Sequence, residues 1–431
     1  MPKHGSETVF KLTVPQTEEA AKLLFDEAKQ ISKILLNKLE AKREVSLHRA
    51  RRYARYVLNS PYVAIATLGS VLKKNGAQFG KPGHPSYLEL VAAGLTLNPW
   101  KSSKEAVTLF KRLRRNGSDI WFHKLGPIET VRSRIAEKVA KRITRLHTLQ
   151  FIRQGGLPAF EKWLAANLSS AEIIITTDIP DCFGHTKRSL VISGLLIPEQ
   201  VTKKALFETM SRANALNPKI NGNDVPYDKE HIVAVSSANR GIPKGAALSA
   251  EASEVVLKLV LQAVEAAAEG VQAASVGDNF IFLLRDATSL QSVINALTSS
   301  VAECFGPDVI AELTRRNSIT LKGDEFLFCG AQYCWKKGGV QKRTEQSRID
   351  NYMTKFEVNL GDAKSVGQFD TLVNSIRGWT MSQRHSSKAV SEAISAAVQI
   401  GEFKEHWSRT KAAGKHAIVP TLPETSSIPP F

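Results

Sequence analysis

The sequence predicts an α+β fold, and three patterns carry that prediction. Long stretches near both ends repeat their apolar residues at helical spacing. The β-branched run Ile173-Ile174-Ile175-Thr176 reads as a buried strand, ended by Pro180. Residues 271–285 set two apolar runs on either side of Gly277-Asp278-Asn279, the pattern of a hairpin whose tip tolerates positive φ. At 431 residues and 43% hydrophobic, the chain can build one large domain or two to three smaller ones.

The elements follow in order. Residues 16–58 read as one long helix. Thr17 can cap it, Glu18 and Glu19 suit its first turn, and Leu24, Ala28, Ile31, Leu35 and Leu39 form its apolar stripe. Its second half turns basic through Lys42, Arg43, Arg49, Arg51, Arg52 and Arg55, and Asn59-Ser60-Pro61 is expected to stop it. Residues 75–100, rich in Gly and Pro, read as loop, and residues 103–116 as a short basic helix. Two helices are expected over 128–168, the first strongly basic, with Gly155-Gly156 between them. After the strand at 173 come a helix at 198–214, a polar loop at 216–230 and a helix from Ser249 to Ala268. The hairpin, a helix at 289–303 and two short strands near 318–334 complete the middle of the chain. Residues 345–411 read as helical, and the tail 419–431, with four prolines, as disordered.

Charge points to a polyanionic partner. Lys and Arg number 58 against 41 Asp and Glu, a net +17, and nucleic acid is the usual partner of such a balance. The basic half of the first helix can grip phosphates or be a solvated face. The four cysteines form no Cys-x-x-Cys pair, which gives no zinc pattern and fits a reducing compartment. Residues Met1 to Phe10 hold no apolar signal core. The most apolar long stretch, Val255 to Ala274, is interrupted by Lys258, Glu265 and Glu269. The expectation is a soluble cytoplasmic protein with no membrane partner.

Three segments can carry chemistry. Asp178 stands where an apolar strand leaves the core, a rigid mount for a carboxylate; taken alone it is equally a turn residue. Asp278 sits at the tip of the hairpin, whose other reading is a plain turn. Held on neighbouring strands, these two acids, a hundred residues apart in sequence, could bind two divalent ions for an in-line phosphoryl transfer. Between them, Arg240-Gly241-Ile242-Pro243-Lys244-Gly245 is a glycine-rich turn opening into a helix, where backbone can approach a nucleotide closely and a helix N-terminus favours phosphate. It can also be a loop with a cap at Ser249.

The ordered set resembles motifs A, B and C of the reverse-transcriptase superfamily: a strand Asp with Phe183 five residues on, then Gly-x-Pro-x-Gly followed by Leu-Ser, then a hairpin with Gly-Asp-Asn. Phe328-Cys329-Gly330, after Lys322, resembles the family's later Lys and Phe-Leu-Gly elements. The match covers roughly residues 130 to 335. It implies a right-hand polymerase with fingers, an antiparallel-sheet palm and a helical thumb. The implied domains are a helical N-terminal extension (1–125), fingers and palm (126–335), and thumb with tail (336–431).

The resemblance also implies roles. Asp178 and Asp278, with the main-chain carbonyl of Ile179, would hold two Mg²⁺ or Mn²⁺ ions. Gly277 and Asn279 form the turn beside the catalytic acid. Lys141, Arg142 and Arg145, with Lys138 upstream, would neutralise the triphosphate, helped by Lys244, Gly245 and Lys322. Phe183 resembles the aromatic gate that rejects a ribose 2′-hydroxyl and so favours dNTPs; its other reading is a core aromatic. The charge run of the first helix, and not the resemblance, makes Arg49, Arg52 and Arg55 candidates to contact nucleic acid. An RNA template or non-coding RNA, a DNA product and a partner subunit or second copy of the chain are the implied partners.

Departures from the family pattern are clear. Tyr-x-Asp-Asp becomes Val276-Gly277-Asp278-Asn279, the Gln of Pro-Gln-Gly becomes Lys244, and the Pro after the Ser becomes Ala250. No ribonuclease H or integrase segment fits after residue 335. Size and divergence resemble the bacterial defence-associated reverse transcriptases, the "unknown group" lineages, whose members work with a non-coding RNA against phages. Three other readings stay open: an RNA-dependent RNA polymerase, an inactive palm-fold RNA binder, and an untemplated or protein-primed DNA polymerase.

Overall fold

The computed structural model describes residues 12–101, 105, 107–113, 119–208, 213–220, 223–224, 240–336, 338–344, 346–361, 368–370 and 372–376, with isolated helical positions at 391, 395 and 405. It is a mixed α+β protein, mostly helical, with small sheets that are chiefly antiparallel. Its contacts divide it into two compact units. The first holds Met1–Trp163 and Ala171–Ile319, the second Leu164–Ser170 and Thr320–Phe431.

The first unit opens with two helices where one was expected: α1 (Glu18–Val45) and α2 (Leu47–Leu58). Ser46 breaks the run. Its backbone is extended, and its hydroxyl accepts from the Arg49 N–H, so the residue ends one helix and caps the next. Pro61 begins a helix instead of merely stopping one. It is the first residue of α3 (Pro61–Lys74), where its missing N–H costs nothing. The stretch read as loop contains α4 (Tyr87–Thr96), set by a Ser86–Glu89 capping box. Glu18 adds its carboxylate to the Tyr87 and Leu88 N–H groups, at 2.5 and 3.1 Å, which ties the start of α1 to the start of α4.

The basic stretch near 103–116 is a strand. β1 (Val107–Leu113) pairs antiparallel with β2 (Asp119–Lys124) and parallel with β4 (Ala213–Ile220), which pairs in turn with β5 (Asn223–Asp224). Val107, Thr108 and Phe110 favour a pleated strand, and neighbours on both sides outweigh the basic residues that had suggested a helix. The expected polar loop at 216–230 is therefore strand through Ile220 and again at Asn223–Asp224; 221–222 and 225–230 lie outside the described residues.

α5 (Pro127–Ile143) and α6 (Gly156–Asn167) match the two expected helices, with Gly155 and Gly156 at positive φ between them. β3 (Ile173–Asp178) follows. The short helices α7 (Cys182–His185), α8 (Arg188–Gly194) and α9 (Glu199–Thr202) come next, the last running into a π-helical turn over Lys203–Phe207. The helix expected to reach residue 214 is thus shorter. α10 (Ser249–Ala267), β6 (Gln272–Val276), β7 (Asn279–Leu284) and α11 (Leu290–Phe305) stand where the sequence placed them, and α12 (Ile310–Arg316) was not foreseen.

The central sheet runs β6-β7-β3-β8, with β8 at Ser318–Leu321. β3 and β7 are buried almost throughout, as their apolar runs require. Helices α1 to α5, α8 and α10 share one continuous core with β3, β6 and β7. The N-terminal helices therefore pack into the same core as the sheet, within the first unit.

In the second unit, β9 (Phe326–Phe328), β10 (Ala331–Lys336) and β11 (Gly339–Thr344) form an antiparallel sheet, one strand richer than expected even without β8. Cys329 and Gly330, at φ 48° and 72°, make the two-residue turn between β9 and β10. α13 (Gln346–Gly361) bears out the helical reading of its segment, with a small core of Ile349, Phe356, Leu360, Phe369 and Ile376. Met1–Phe10, most of 377–411 and the tail 419–431 lie outside the described residues. Among those described, no helix is long and apolar enough to cross a membrane.

Candidate functional site

Asp178 closes β3, and Asp278 is at the tip of the β6–β7 hairpin. The register sets Asp178 directly opposite Asn279, and Val276 opposite Asn279 across the hairpin, so Gly277 and Asp278 are the two turn residues. Gly277, at φ 62°, supplies the left-handed backbone such a turn needs. The Ile179 N–H donates to the Asp278 carbonyl at 3.0 Å, so the strand end and the hairpin tip are joined through backbone. The Asn279 amide donates to Asp278 Oδ1 at 3.1 Å; where the family pattern has a second acid, this residue braces the first.

The chain then turns sharply. Asp181 adopts a left-handed φ of 42° at the position before α7, and its carboxylate lies over Gly184, where a Cβ would be 2.0 Å from Asp181 Oδ2. The glycine-rich segment 240–248 docks against this turn. The Ile242 N–H donates to the Phe183 carbonyl at 2.9 Å, and a Cβ on Gly241 would sit 2.1 Å from that same oxygen. Gly245, at φ 118°, passes so close to β2 that a Cβ would lie 2.4 Å from the His123 carbonyl, and the His123 N–H donates to the Lys244 carbonyl at 2.6 Å. Ser249 Oγ donates to the Pro243 carbonyl and Ser133 Oγ accepts from the Leu248 N–H, fixing the turn where it enters α10.

These contacts bring the three segments around one cleft of about 250 Å³. It is lined by Asp178, Ile179, Asp181, Cys182, Phe183, Lys244, Gly245 and Asp278, together with Phe122 and Arg316. Two ion pairs cross it. Lys244 Nζ is 2.5 Å from Asp181 Oδ1, and Arg316 pairs with Asp178 while its Nε holds Glu312 at 3.0 Å. Burial opposes the charge on Arg316, but its hydrogen bonds to Glu312 and Asp178, with the negative charge of both, outweigh it and raise its pKa. Burial, with the Asp278 carboxylate nearby, pushes the Cys182 thiol well up, so it lines the cleft as an uncharged group.

Beneath the hairpin lies a buried polar layer. Gln150 forms a bridge to Ser275, and its amide donates to the Glu254 carbonyl at 2.8 Å and to the Glu254 carboxylate at 2.9 Å. Arg153 pairs with Glu251. Burial raises Glu254 to about 7, with the Asp278 charge adding to the shift and Arg153 opposing it.

Other expected site residues stand elsewhere. Lys141 pairs with Glu137 at 2.5 Å, Arg142 with Glu40, and Arg145 with Glu44 at 3.0 Å. Lys138 donates to Thr67 Oγ1 at 2.9 Å, and burial lowers its pKa. None of the four lines the cleft; they link α5 to α1 and α3 or to its own preceding turn. Lys322 belongs to the second unit, where it donates to the Ser169 carbonyl. Arg49, Arg52 and Arg55 are exposed on α2.

Sequence reasoning missed Arg316, Asp181 and Phe122 as site residues. Asp181 was visible within the first motif; Arg316 had no signal, because it reaches Asp178 only through folding. Among the described residues no group of three or more His, Cys, Asp or Glu forms a metal cage. The oxygen donors of Asp178 and Asp278 nevertheless suit Mg²⁺, which takes one or two carboxylates and completes its shell with water and substrate phosphate. No family model matches the chain, and no curated protein matches it.

Proposed function

We propose that this chain is a template-reading polymerase of the reverse-transcriptase kind, an RNA-directed DNA polymerase built as fingers, palm and helical thumb. One observation carries the reading: Asp178, Phe183, Lys244, Gly245 and Asp278, from three separated motifs, line a single cleft. A chance resemblance in short motifs has no reason to converge in space.

Asp178 and Asp278, with the Ile179 carbonyl, would hold Mg²⁺ or Mn²⁺. Such ions, when bound, lower the pKa of a primer 3′-hydroxyl and stabilise a leaving pyrophosphate. The chain's own residues supply the rest. Lys244 and Arg316 line the cleft, each held by an aspartate. An entering triphosphate can take over these cations from Asp181 and Asp178, exchanging one anion for another at little electrostatic cost. They replace Lys141, Arg142 and Arg145 in that role. Asn279 keeps Asp278 oriented. Phe183, fixed through its own carbonyl, sets its ring beside the sugar. Action in bacterial antiviral defence with a non-coding RNA belongs to the same proposal and rests on the resemblance alone.

The bracing amide of Asn279 favours a second reading, an RNA-binding palm without chemistry, because one of the family's acids is missing. The deciding experiment supplies an RNA template–primer with dNTPs or rNTPs, and dNTPs without template. Templated dNTP incorporation supports the proposal. Incorporation of rNTPs alone would make the chain an RNA polymerase, synthesis without template an untemplated enzyme, and RNA binding without synthesis an inactive palm.

A further inference from the structure

We propose that the basic groove between α1 and α2 is a binding site for single-stranded RNA, separate from the cleft at Asp178 and Asp278. The groove, about 580 Å³, is lined by Lys38, Ala41, Lys42, Val45, Arg49 and Tyr53, none of which lines the cleft. The inference does not depend on the polymerase reading, because a separate balance of charge carries it.

That balance is visible residue by residue. α2 carries Arg49, Arg51, Arg52 and Arg55 and no acid in its 12 residues, and all four arginines are exposed. The nearest acids on α1 are already spent: Glu40 on Arg142, and Glu44 on Arg43 and Arg145. Lys38, Lys42, Arg49, Arg51, Arg52 and Arg55 have no ion-pair partner among the described residues. Arg142 at the end of α5, Arg145 just after it and Arg43 of α1 neutralise these acids, which leaves the positive potential concentrated on α2 and the facing wall of α1.

The groove is also rigid. Ala50, Ala54, Val57 and Leu58 are buried, so α2 is seated on the core through its other face. Tyr53 stacks on Tyr56 with ring centroids 5.4 Å apart, and Lys42 lies 5.2 Å above the Tyr53 ring. Burial raises the Tyr53 pKa, so its hydroxyl stays neutral and adds no negative charge. Cations held in place beforehand lose less freedom on binding.

The form of the site selects the ligand. Arg49 lines the groove, and Arg52 and Arg55 continue from it at every third residue as an exposed ridge that leads over the outer face of α2. A row suits a polyanion better than a single phosphate group. Lys38 and Lys42 stand on the α1 wall and Arg49 on the α2 wall, and a groove of about 580 Å³, the size of a small-molecule site, takes one strand and not the width of a duplex. A membrane surface would need a broad apolar face beside the charges, and the apolar face of α2 is buried. The Tyr53 hydroxyl gives the groove a partner for the ribose 2′-hydroxyl, the group that separates RNA from DNA.

The test uses the full chain without nucleotides or divalent ions. Fluorescence anisotropy measures binding of a labelled single-stranded RNA of about 15 nucleotides over a range of salt, since a strand contacting Z phosphates has a salt slope near −0.7Z. Lys38→Gln/Lys42→Gln/Arg49→Gln, which removes the three cations that line the groove, should flatten the slope by about 2 and weaken binding by about tenfold or more at low salt. Lys33→Gln, exposed on α1 away from the groove, should leave the slope unchanged. Should the triple variant melt early, Lys38→Gln/Lys42→Gln on the α1 wall alone tests the same site with a change of about 1.4. The loss must persist in an Asp278→Ala background, which separates failure of this groove from failure of the cleft. Unchanged affinity and slope in folded variants would overturn the proposal. So would tighter binding of DNA of the same sequence, or binding of phosphatidylserine vesicles in place of RNA that depends on the same three cations.

Discussion

The backbone N–H of Ile179 donates to the carbonyl of Asp278 at 3.0 Å, and this one bond joins the end of β3 to the tip of the β6–β7 hairpin. The two candidate catalytic acids are therefore positioned by main chain. The ladder pairing Asp178 with Asn279 continues the same constraint, while Arg316 meets the Asp178 carboxylate and the Asn279 amide that of Asp278.

Removing the Asp278 carboxylate should accordingly end synthesis without unfolding the hairpin. Asp278→Ala is expected to lower nucleotide incorporation by at least about a hundredfold, roughly 3 kcal/mol of transition-state stabilisation. Its circular-dichroism melt should stay close to that of the parent. A variant that polymerises at the parental rate would remove Asp278 from the mechanism.

Phe183 is expected to set sugar selectivity. A ring beside the ribose clashes with a 2′-hydroxyl and not with a hydrogen, and a clash of about 3 kcal/mol is worth roughly a hundredfold. Phe183→Ala should admit ribonucleotides while retaining some dNTP incorporation, read as the ratio of the two efficiencies. The ring also packs against the core, so a lower melting temperature with an unchanged ratio would make it a packing residue alone.

Gly241 is the point at which the glycine-rich turn meets the Asp178 turn. It sits at φ 60°, and an added Cβ would lie 2.1 Å from the Phe183 carbonyl oxygen. Gly241→Ala should cost on the order of 1–3 kcal/mol in chemical denaturation, combining left-handed strain with a backbone clash. Gly338→Ala meets nothing within 4 Å and should cost only the smaller strain of its φ of 75°. Equal losses at both positions would show that the contact with Phe183 is unimportant.

Glu254 makes stability depend on pH. Its folded pKa is raised from 4.5 to about 7, so the native state holds the proton more tightly than the unfolded chain. Stability should therefore fall as pH rises from about 4.5 to about 7 and stay at the lower level above that range. Glu254→Gln removes the ionisation and keeps an acceptor for Gln150. It should stabilise the protein by on the order of 1–3 kcal/mol at pH 8 and give no gain near pH 4. A gain of the same size at both pH values would assign the effect to something other than this carboxyl group.

Much of the middle of the chain was legible because it is locally decided. Ile173 to Thr176 has almost no alternative to a buried strand, and the apolar runs around Gly277 and Asp278 define their hairpin. The misreadings came where one residue or a distant neighbour decides. Ser46 divides a pattern that is continuous in periodicity, because its hydroxyl can cap a helix. Val107 to Leu113 became a strand because β2 and β4 flank it, and a basic composition cannot report that.

The sequence by itself determined the mixed fold class, the strand and hairpin that carry Asp178 and Asp278, the glycine turn between them and the excess of positive charge. Those features depend on residue type and short spacing. Only the tertiary structure decided which cations face which acids. Lys138, Lys141, Arg142 and Arg145 look like phosphate ligands in sequence, yet α5 packs against α1 and α3 and commits them to Thr67, Glu137, Glu40 and Glu44. Arg316, 138 residues from Asp178, reaches it because α12 ends beside the end of β3. Charge pairing is set by distance in space and falls off within a few ångströms, so a linear reading finds the charges and the fold alone assigns their partners.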